Sequence, residues 1–294
     1  MRAHLVRYLL HLLAQFSLPT IHRLATLLGK FLAQHPKFRI TQITQRNLQH
    51  CYPHYSLTQQ HQLLQDSLIE TCKTFMELGA LWLWPVPKTL NLIQQISGEI
   101  HLQHAYQQQK GVILLTPHLG AWELAGLYTS QHYPLTALYR PPKLWTLQKF
   151  IHQARSRAGG RYVPTDKTGI RALYHTLQQN KIVGILPDQV PGQLGNGVFA
   201  PFFKQPAYTM TLVPRLAKKM NTPVILTYAQ RLPQGQGFHL HFLPMPPNIA
   251  SADLLEAVTT LNQLIQSCIE TCPAQYQWSY KRFKIQPPET TDLY

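Results

Sequence analysis

Acidic side chains are scarce in this chain: 12 Asp plus Glu stand against 27 Lys plus Arg over 294 residues, a formal net charge of +15. So large an excess calls for an anionic partner, and nucleic acid, an acidic membrane surface or an acidic carrier protein would supply one. Charged residues of both signs make up only 13% of the chain, which excludes a disordered basic tail, because such tails are dense in charge. Cysteine is sparse too. Cys51, Cys72, Cys268 and Cys272 have neither the spacing of a zinc site nor the density of a disulfide framework. Cys268 and Cys272 lie one helical turn apart and read as core thiols, so a reducing, cytosol-facing location is compatible with them. No Gly-rich phosphate loop of the P-loop or dinucleotide form is present, and no serine sits in a nucleophile elbow.

Long hydrophobic runs are missing as well. The uncharged stretch from Tyr8 to Ile21 is short for a spanning helix and contains Gln15 and Pro19. No small-residue cleavage site follows it, so it does not read as a signal peptide. Residues 1–35 are rich in Leu, with Arg2, His4, Arg7, His11, His22, Arg23 and Lys30 scattered through them. That composition suits a basic amphipathic segment lying in a membrane interface. The competing reading is a helical hairpin buried in the globular fold.

What is present is an ordered alternation of patterns. Residues 38–84 read as helical, broken at Asn47 to Pro53 and closed by Pro85 and Pro87. Strand candidates then fall at 111–116, 135–139, 161–164, 182–187, 198–203, 223–230 and 238–243. Helical patterns fall at 122–130, 144–158, 167–180, 208–220 and 252–271. Pro233 to Gly237 reads as a turn between the last two strands. The fold class this implies is α/β: a largely parallel sheet flanked by helices, with its site beyond the carboxyl ends of the strands. The expected organisation is a helical membrane-associated segment over 1–35 and one unit over 36–294, with a helical start and an α/β core.

The stretch from Gly111 to Glu123 concentrates the chemistry. Gly111 to Thr116 is apolar and β-branched and is followed by Pro117, so it reads as an interior strand ending at a loop; a helix follows from Trp122. His118 and Glu123 form an HX4E pattern. On one continuous helix residues five apart point about 140° from each other and could not meet. With Pro117 and Gly120 turning the chain, His118 sits in the loop and Glu123 in the first helical turn, where the macrodipole favours a carboxylate. A carboxylate on one imidazole nitrogen fixes the tautomer and leaves the other nitrogen to take a proton, so the expectation is a general base, His118, held by Glu123. The alternative is an ordinary loop histidine and a solvated glutamate.

Other strand ends carry further candidates. Arg140 ends the strand in Leu138-Tyr-Arg-Pro-Pro142, where its fork of donors suits a phosphate, a carboxylate or a developing oxyanion; a locally paired surface arginine is the alternative. Asp188 and Gln189 follow another strand, and Asp188 is read as orienting Arg140 or a neighbouring base, or as capping its loop. Arg155 and Arg157 on one helix are candidates for substrate binding, with a solvated face as the alternative. His239 and His241 alternate on a strand face, but no carboxylate or cysteine joins them, so no metal site is expected.

Together these segments resemble the lipid A late acyltransferases, the lauroyl and myristoyl transferase family. The resemblance rests on Asn47-Leu-Gln-His-Cys-Tyr-Pro53, His118-Leu-Gly-Ala-Trp-Glu123, Leu138-Tyr-Arg-Pro141, Pro187-Asp-Gln189, Val198-Phe-Ala-Pro-Phe-Phe203 and the block from Pro273 to Lys284. Two positions depart from it: Ala121 stands where asparagine is more usual, and Lys204 where a glycine often follows the two phenylalanines. The resemblance implies a glycerol-phosphate-acyltransferase-like core behind an N-terminal membrane anchor. It further implies acyl transfer from acyl carrier protein to a hydroxyl of a phosphorylated lipid A precursor, on the cytoplasmic face of the inner membrane. His118 would be the base and Glu123 its orienting partner, with Arg140 and Asp188 on matching blocks near the site; Gln189, Arg155 and Arg157 are further candidates for substrate or oxyanion contact. Neither a cofactor nor nucleic acid is expected. An acyltransferase of the same superfamily acting on a glycerophospholipid or glycolipid, and a noncatalytic basic membrane- or nucleic-acid-binding protein, are the alternatives.

Overall fold

The computed structural model describes residues 2–142, 145–192, 195–288 and 292–294; Met1 and Leu144, where two of the expected segments begin, lie outside them. The first part of the chain is helical: α1 (Arg2–Leu13), α2 (Leu18–Ala33), α3 (Arg39–Cys51), α4 (Leu57–Met76), α5 (Leu78–Leu83) and α6 (Val86–Leu90). Strands and helices then alternate through β1 (Ile93–Ser97), α7 (Glu99–Gln107), β2 (Val112–Leu115), α8 (Trp122–His132), β3 (Leu135–Tyr139), α9 (Gln148–Ser156), β4 (Arg161–Pro164), α10 (Lys167–Gln178) and β5 (Ile182–Ile185). The chain continues with β6 (Gly197–Phe202), β7 (Gln205–Met210), α11 (Leu212–Met220), β8 (Val224–Arg231), β9 (Phe238–Pro244) and α12 (Leu254–Thr271).

Seven strands form one sheet in the order β1-β9-β8-β2-β5-β3-β4. Every pairing in it is parallel except β8 with β9, which the turn after Pro233 joins as a hairpin. The fold is therefore α/β with a mostly parallel mixed sheet, its central strands buried on both faces as their unbroken apolar runs require. Successive side chains of β2 go to opposite cores: Ile113 and Leu115 to one cluster, Val112 and Leu114 to the other.

Two local expectations are corrected, and one strand was not anticipated. Strand 198–203 exists as β6, but it pairs antiparallel with β7 in a separate two-stranded ribbon. The helix expected over 208–220 starts only at Leu212. Both follow from the turn between the ribbon strands, where Phe203 (φ 51°) and Lys204 (φ 62°) are left-handed, the conformation of a two-residue hairpin turn that twists correctly with its strands. The parallel edge strand β1 had no sequence signal, since Ile-Gln-Gln-Ile-Ser is largely exposed and shows no clean alternation.

Among the described residues no helix is long and apolar enough to cross a membrane. The N-terminal hairpin is two-sided. α2 buries Leu18, Ile21, His22, Ala25 and Gly29, and a Cβ on Gly29 would lie 2.4 Å from the Ile69 Cα, so glycine is what lets α2 approach α4 this closely. Leu24, Leu27, Leu28 and Phe31 point to the exterior, as do Leu5, Tyr8, Leu9 and Leu12 of α1.

Candidate active site

β2 and β5 are neighbouring parallel strands with Leu115 opposite Ile185. His118 and Asp188 each follow their paired residue by three positions, and in each loop a proline comes just before. Two loops leaving adjacent strands at the same height and with the same offset bring their side chains together. The His118 Nδ1 lies 2.8 Å from Asp188 Oδ1, and the His118 backbone N–H donates to Asp188 Oδ2 at 2.9 Å. One carboxylate thus holds both the ring and the main chain of one residue. Burial alone would raise the Asp188 pKa, but His118 and its hydrogen bonds outweigh it and hold the carboxyl below its usual value. The Tyr276 hydroxyl also bonds Asp188, and burial followed by this negative neighbour pushes the phenol pKa well up. On the far side of the ring, the Gln189 amide nitrogen lies 3.1 Å from His118 Nε2, and Trp122 packs edge-on with ring centroids 5.0 Å apart.

Glu123 is elsewhere engaged, which corrects the expectation that it orients the histidine. It sits in the first turn of α8 and turns toward α9, where Arg155 Nε lies 3.1 Å from both carboxylate oxygens and Nη2 closes the pair. Trp82 of α5 donates its indole N–H to the same carboxylate at 3.2 Å. Burial would raise the Glu123 pKa, yet Arg155 and Trp82 bring it below the usual range. No hydrogen bond between Glu123 and His118 is formed, because the Gly120 turn sends the imidazole toward β5 and the helix start toward α9.

The Gly120 turn is tightly specified. Gly120 has φ +61°, and a Cβ there would fall 2.0 Å from the Ala229 carbonyl oxygen, so any side chain would both clash and be strained. The next residue, Ala121, is the N-cap of α8 and makes no side-chain cap; asparagine, usual there in the resembled family, is a good N-cap. The loop is held instead by backbone bonds: Gly120 N–H to Gln275 O at 3.1 Å, Ala121 N–H to Ala229 O at 2.8 Å, and Gln277 N–H to His118 O at 3.0 Å.

A cavity of about 540 Å³ opens beside His118. Its lining runs from Arg140, just past β3, back to Leu135, the first residue of that strand, a span of roughly 16 Å at about 3.3 Å per residue. Leu114, Ala137, Gly184, Gly126 and Tyr162 give it largely apolar walls, while His118, Gln189, Glu123, Arg155, Arg140 and Arg215 supply polar groups. Long apolar clefts with a few convergent polar groups suit ligands with a hydrocarbon chain. Arg157 is not among the lining residues. It donates to the Ala154 and Leu81 carbonyls at 2.7 and 2.5 Å, tying α9 to α5, which corrects its reading as a substrate contact. Among the described residues no group of three or more His, Cys, Asp or Glu is placed to hold a metal ion.

Sequence reasoning missed Arg215, Trp82, Tyr276 and Gln277 as neighbours of the site. One signal was available for the central pair: Leu115-Thr-Pro-His118 and Ile185-Leu-Pro-Asp188 are the same strand-to-loop pattern written twice.

A carboxylate-held imidazole at the mouth of an apolar cleft, on the strand-end side of a parallel sheet, has the geometry for proton transfer beside a hydrocarbon ligand. Residues 1–285 match the family described as bacterial lipid A biosynthesis acyltransferase, and the chain belongs to that family and is an acyltransferase. It is 27% identical over 289 residues to the lipid A biosynthesis lauroyltransferase of Escherichia coli K12, covering 97% of this chain and 92% of that one. It is 26% identical over 286 residues to the palmitoleoyltransferase of the same organism, with the same coverage. Against the myristoyltransferase of that organism it is 25% identical over 260 residues, covering 84% of this chain and 78% of the other.

Proposed function

We propose that this protein transfers a fatty acyl group from an acyl carrier protein thioester to a hydroxyl of a phosphorylated lipid A precursor, with His118 as general base. The observation that carries the reading is the His118–Asp188 pair at the mouth of the apolar cavity. With Nδ1 bound to the carboxylate, Nε2 carries the lone pair; it faces the Gln189 amide here and takes the acceptor hydroxyl once that amide turns to the substrate. As the hydroxyl oxygen attacks the thioester carbonyl carbon, its proton passes to Nε2, and Asp188 stabilises the imidazolium. Collapse of the tetrahedral intermediate breaks the C–S bond, and the imidazolium returns the proton to the departing thiolate. Gln189, whose amide lies beside Nε2, and Arg140 are the donors proposed for the oxyanion. Glu123 is a positioning residue in this scheme: it holds Arg155 against the cavity wall. The acyl chain lies along Leu114, Ala137 and Leu135, and Arg140 with Arg215 at the polar end faces the phosphorylated acceptor.

The exposed apolar side chains of α1 and α2, with Arg7, Arg23 and Lys30 on the same hairpin, support residues 1–35 as a segment lying in the cytoplasmic leaflet of the inner membrane. The net charge of +15 supports docking of an acidic carrier.

The test is acyl transfer from a carrier-protein thioester to a lipid A precursor, run beside a glycerophospholipid and a glycolipid acceptor. Transfer to the lipid A precursor alone, lost by about a hundred- to ten-thousand-fold in His118→Ala, is the expected result. Near-normal turnover in a folded His118→Ala protein overturns the mechanism, and preference for another acceptor overturns the substrate.

A further inference from the structure

A second buried polar cluster lies behind the catalytic loop, on the side away from the cavity. Glu77, between α4 and α5, and Arg231, the last residue of β8, are both buried, as is His22 on the inner face of α2. Arg231 Nε lies 3.1 and 3.0 Å from the Glu77 carboxylate oxygens, its Nη2 adds a bond of 2.5 Å, and His22 Nε2 lies 3.2 Å from Glu77 Oε2. Thr74 accepts from Arg231 Nη2 at 2.7 Å, and Glu70, itself paired with Lys73, lies 3.5 Å from Nη1. The remaining partner belongs to the catalytic loop: Arg231 Nη2 donates to the Gly120 carbonyl at 3.1 Å. Gln275 closes the frame, accepting from the Arg231 N–H at 2.8 Å through its side chain and from the Gly120 N–H at 3.1 Å through its backbone. Both polar groups of the Gly120 residue are therefore committed to this cluster.

A buried ion pair of this kind adds little net stability over apolar groups of the same volume, since desolvating both charges cancels most of their attraction. Its contribution is geometric. The Gly120 turn decides whether His118 faces Asp188 and where α8 begins, and the Arg231 guanidinium fixes the orientation of its carbonyl. His22 brings a further element into the same cluster, because the opposite face of α2 carries the exposed Leu24, Leu27, Leu28 and Phe31.

We propose that Arg231, Glu77 and His22 are positioning residues of the acyl transfer, locking the His118–Gly120 turn and making its geometry depend on how α2 is seated. This rests on His118 being the base. None of the three touches the reacting atoms. They act through the Gly120 peptide, so their loss lowers kcat and leaves donor binding in place.

The experiment compares the full-length chain with Glu77→Gln/Arg231→Met, which leaves no unpaired buried charge, with Arg231→Lys and with His22→Phe. Turnover of an acyl carrier protein thioester with a lipid A precursor in detergent micelles is measured beside amide hydrogen exchange over residues 118–121. The double variant is expected to lose about 10- to 100-fold in kcat, the size of effect an ångström-scale misplacement produces, with KM for the thioester within about twofold. Exchange of the loop amides should quicken. Arg231→Lys, which keeps the charge, should recover part of the loss, and His22→Phe should lie between the double variant and the unaltered chain. A folded double variant with unchanged kcat and unchanged loop exchange overturns the proposal and leaves the cluster a structural tie. Should that variant fail to fold, Arg231→Lys and His22→Phe decide: unaltered kcat in both overturns it. His118→Ala separates the two readings. If it retains activity the base is wrongly identified, whereas quickened exchange at residues 118–121 in the Arg231 variants reports on loop positioning alone.

Discussion

The two faces of the central sheet are built by alternate residues of the same strands and both carry a packed core, yet the core on one of them is interrupted by a cavity. On the uninterrupted face Ile113, Leu115, Val183 and Leu226 join a cluster that includes Phe202, Phe203, Trp278 and Phe283. On the other, Leu114, Ala137 and Gly184 look toward α8, where Gly126 withholds a side chain, and the cavity of about 540 Å³ lies among them. A Cβ on Gly184 would come within 3.0 Å of the Ala137 Cβ, whereas one on Gly126 would meet only the Tyr162 hydroxyl, at 3.4 Å. The hollow is thus made by small residues at matched heights on neighbouring elements. Both faces bury apolar residues, and the His118 loop lies at the end of the strands, beside the face that also holds the cavity.

The contrast is sharpest at the two carboxylates. Asp188→Asn keeps the shape beside His118 but removes the charge that would stabilise an imidazolium in the proposed mechanism, and should cost about 10²- to 10⁴-fold in kcat. Glu123→Gln and Arg155→Gln should each lower turnover, with the double variant losing no more than the worse single one, because they form one unit. Losses that multiply fully would show Glu123 acting separately from Arg155.

On the uninterrupted face, Phe283→Ala should destabilise by about 3–5 kcal/mol, a fall in melting temperature on the order of 6–15 °C, while the acyl-chain preference of the surviving folded enzyme stays as it was. A changed chain preference would mean that the two faces are not independent.

Acid should act on the buried carboxyls of both regions. Glu77, Glu123 and Asp188 all have lowered pKa values despite burial, through Arg231, Arg155 and His118 respectively. A depressed folded pKa means that the stability these groups contribute is fully present above the ordinary carboxylate value and is lost as pH falls through the lower folded values. Denaturant titrations across that window should show stability falling with pH, and Glu77→Gln should flatten the slope; an unchanged slope would remove Glu77 from the account.

Filling the hollow is a smaller perturbation. Gly126→Leu adds a side chain into open space on a helix and should shift kcat/KM toward shorter acyl donors by about tenfold or more, with no loss of melting temperature. An unchanged donor profile would place the acyl chain elsewhere. The smallest effect is expected at Lys204, whose left-handed conformation is uncomfortable for a side chain: Lys204→Gly should raise stability by about 1 kcal/mol.

Much of this was legible in advance because it depends on local periodicity. Buried central strands, the loop histidine past Pro117, the helix starting at Trp122 and the turn at Pro233 follow from patterns a few residues long. The ribbon of β6 and β7 was half missed, since Tyr208 to Met210 was read as the start of the helix over 208–220, and the turn at Phe203 and Lys204 makes it strand instead. β1 was missed because an exposed edge strand needs no apolar alternation. Glu77 carried a signal that went unused: a lone carboxylate in the apolar run from Phe75 to Trp84 demands a buried cation.

Sequence alone determined that this chain makes a mostly parallel α/β sheet and mounts a histidine at a strand end, because both are consequences of residues adjacent along the chain. Only the tertiary structure decided which carboxylate the histidine faces. Glu123 is five residues away and Asp188 seventy, but the pairing of β2 with β5 sets Asp188 at the height of His118, while the turn at Gly120 carries Glu123 off toward Arg155. Sheet order is a property of the whole packed chain, so nearness in sequence gave the wrong partner and nearness in the sheet gave the right one.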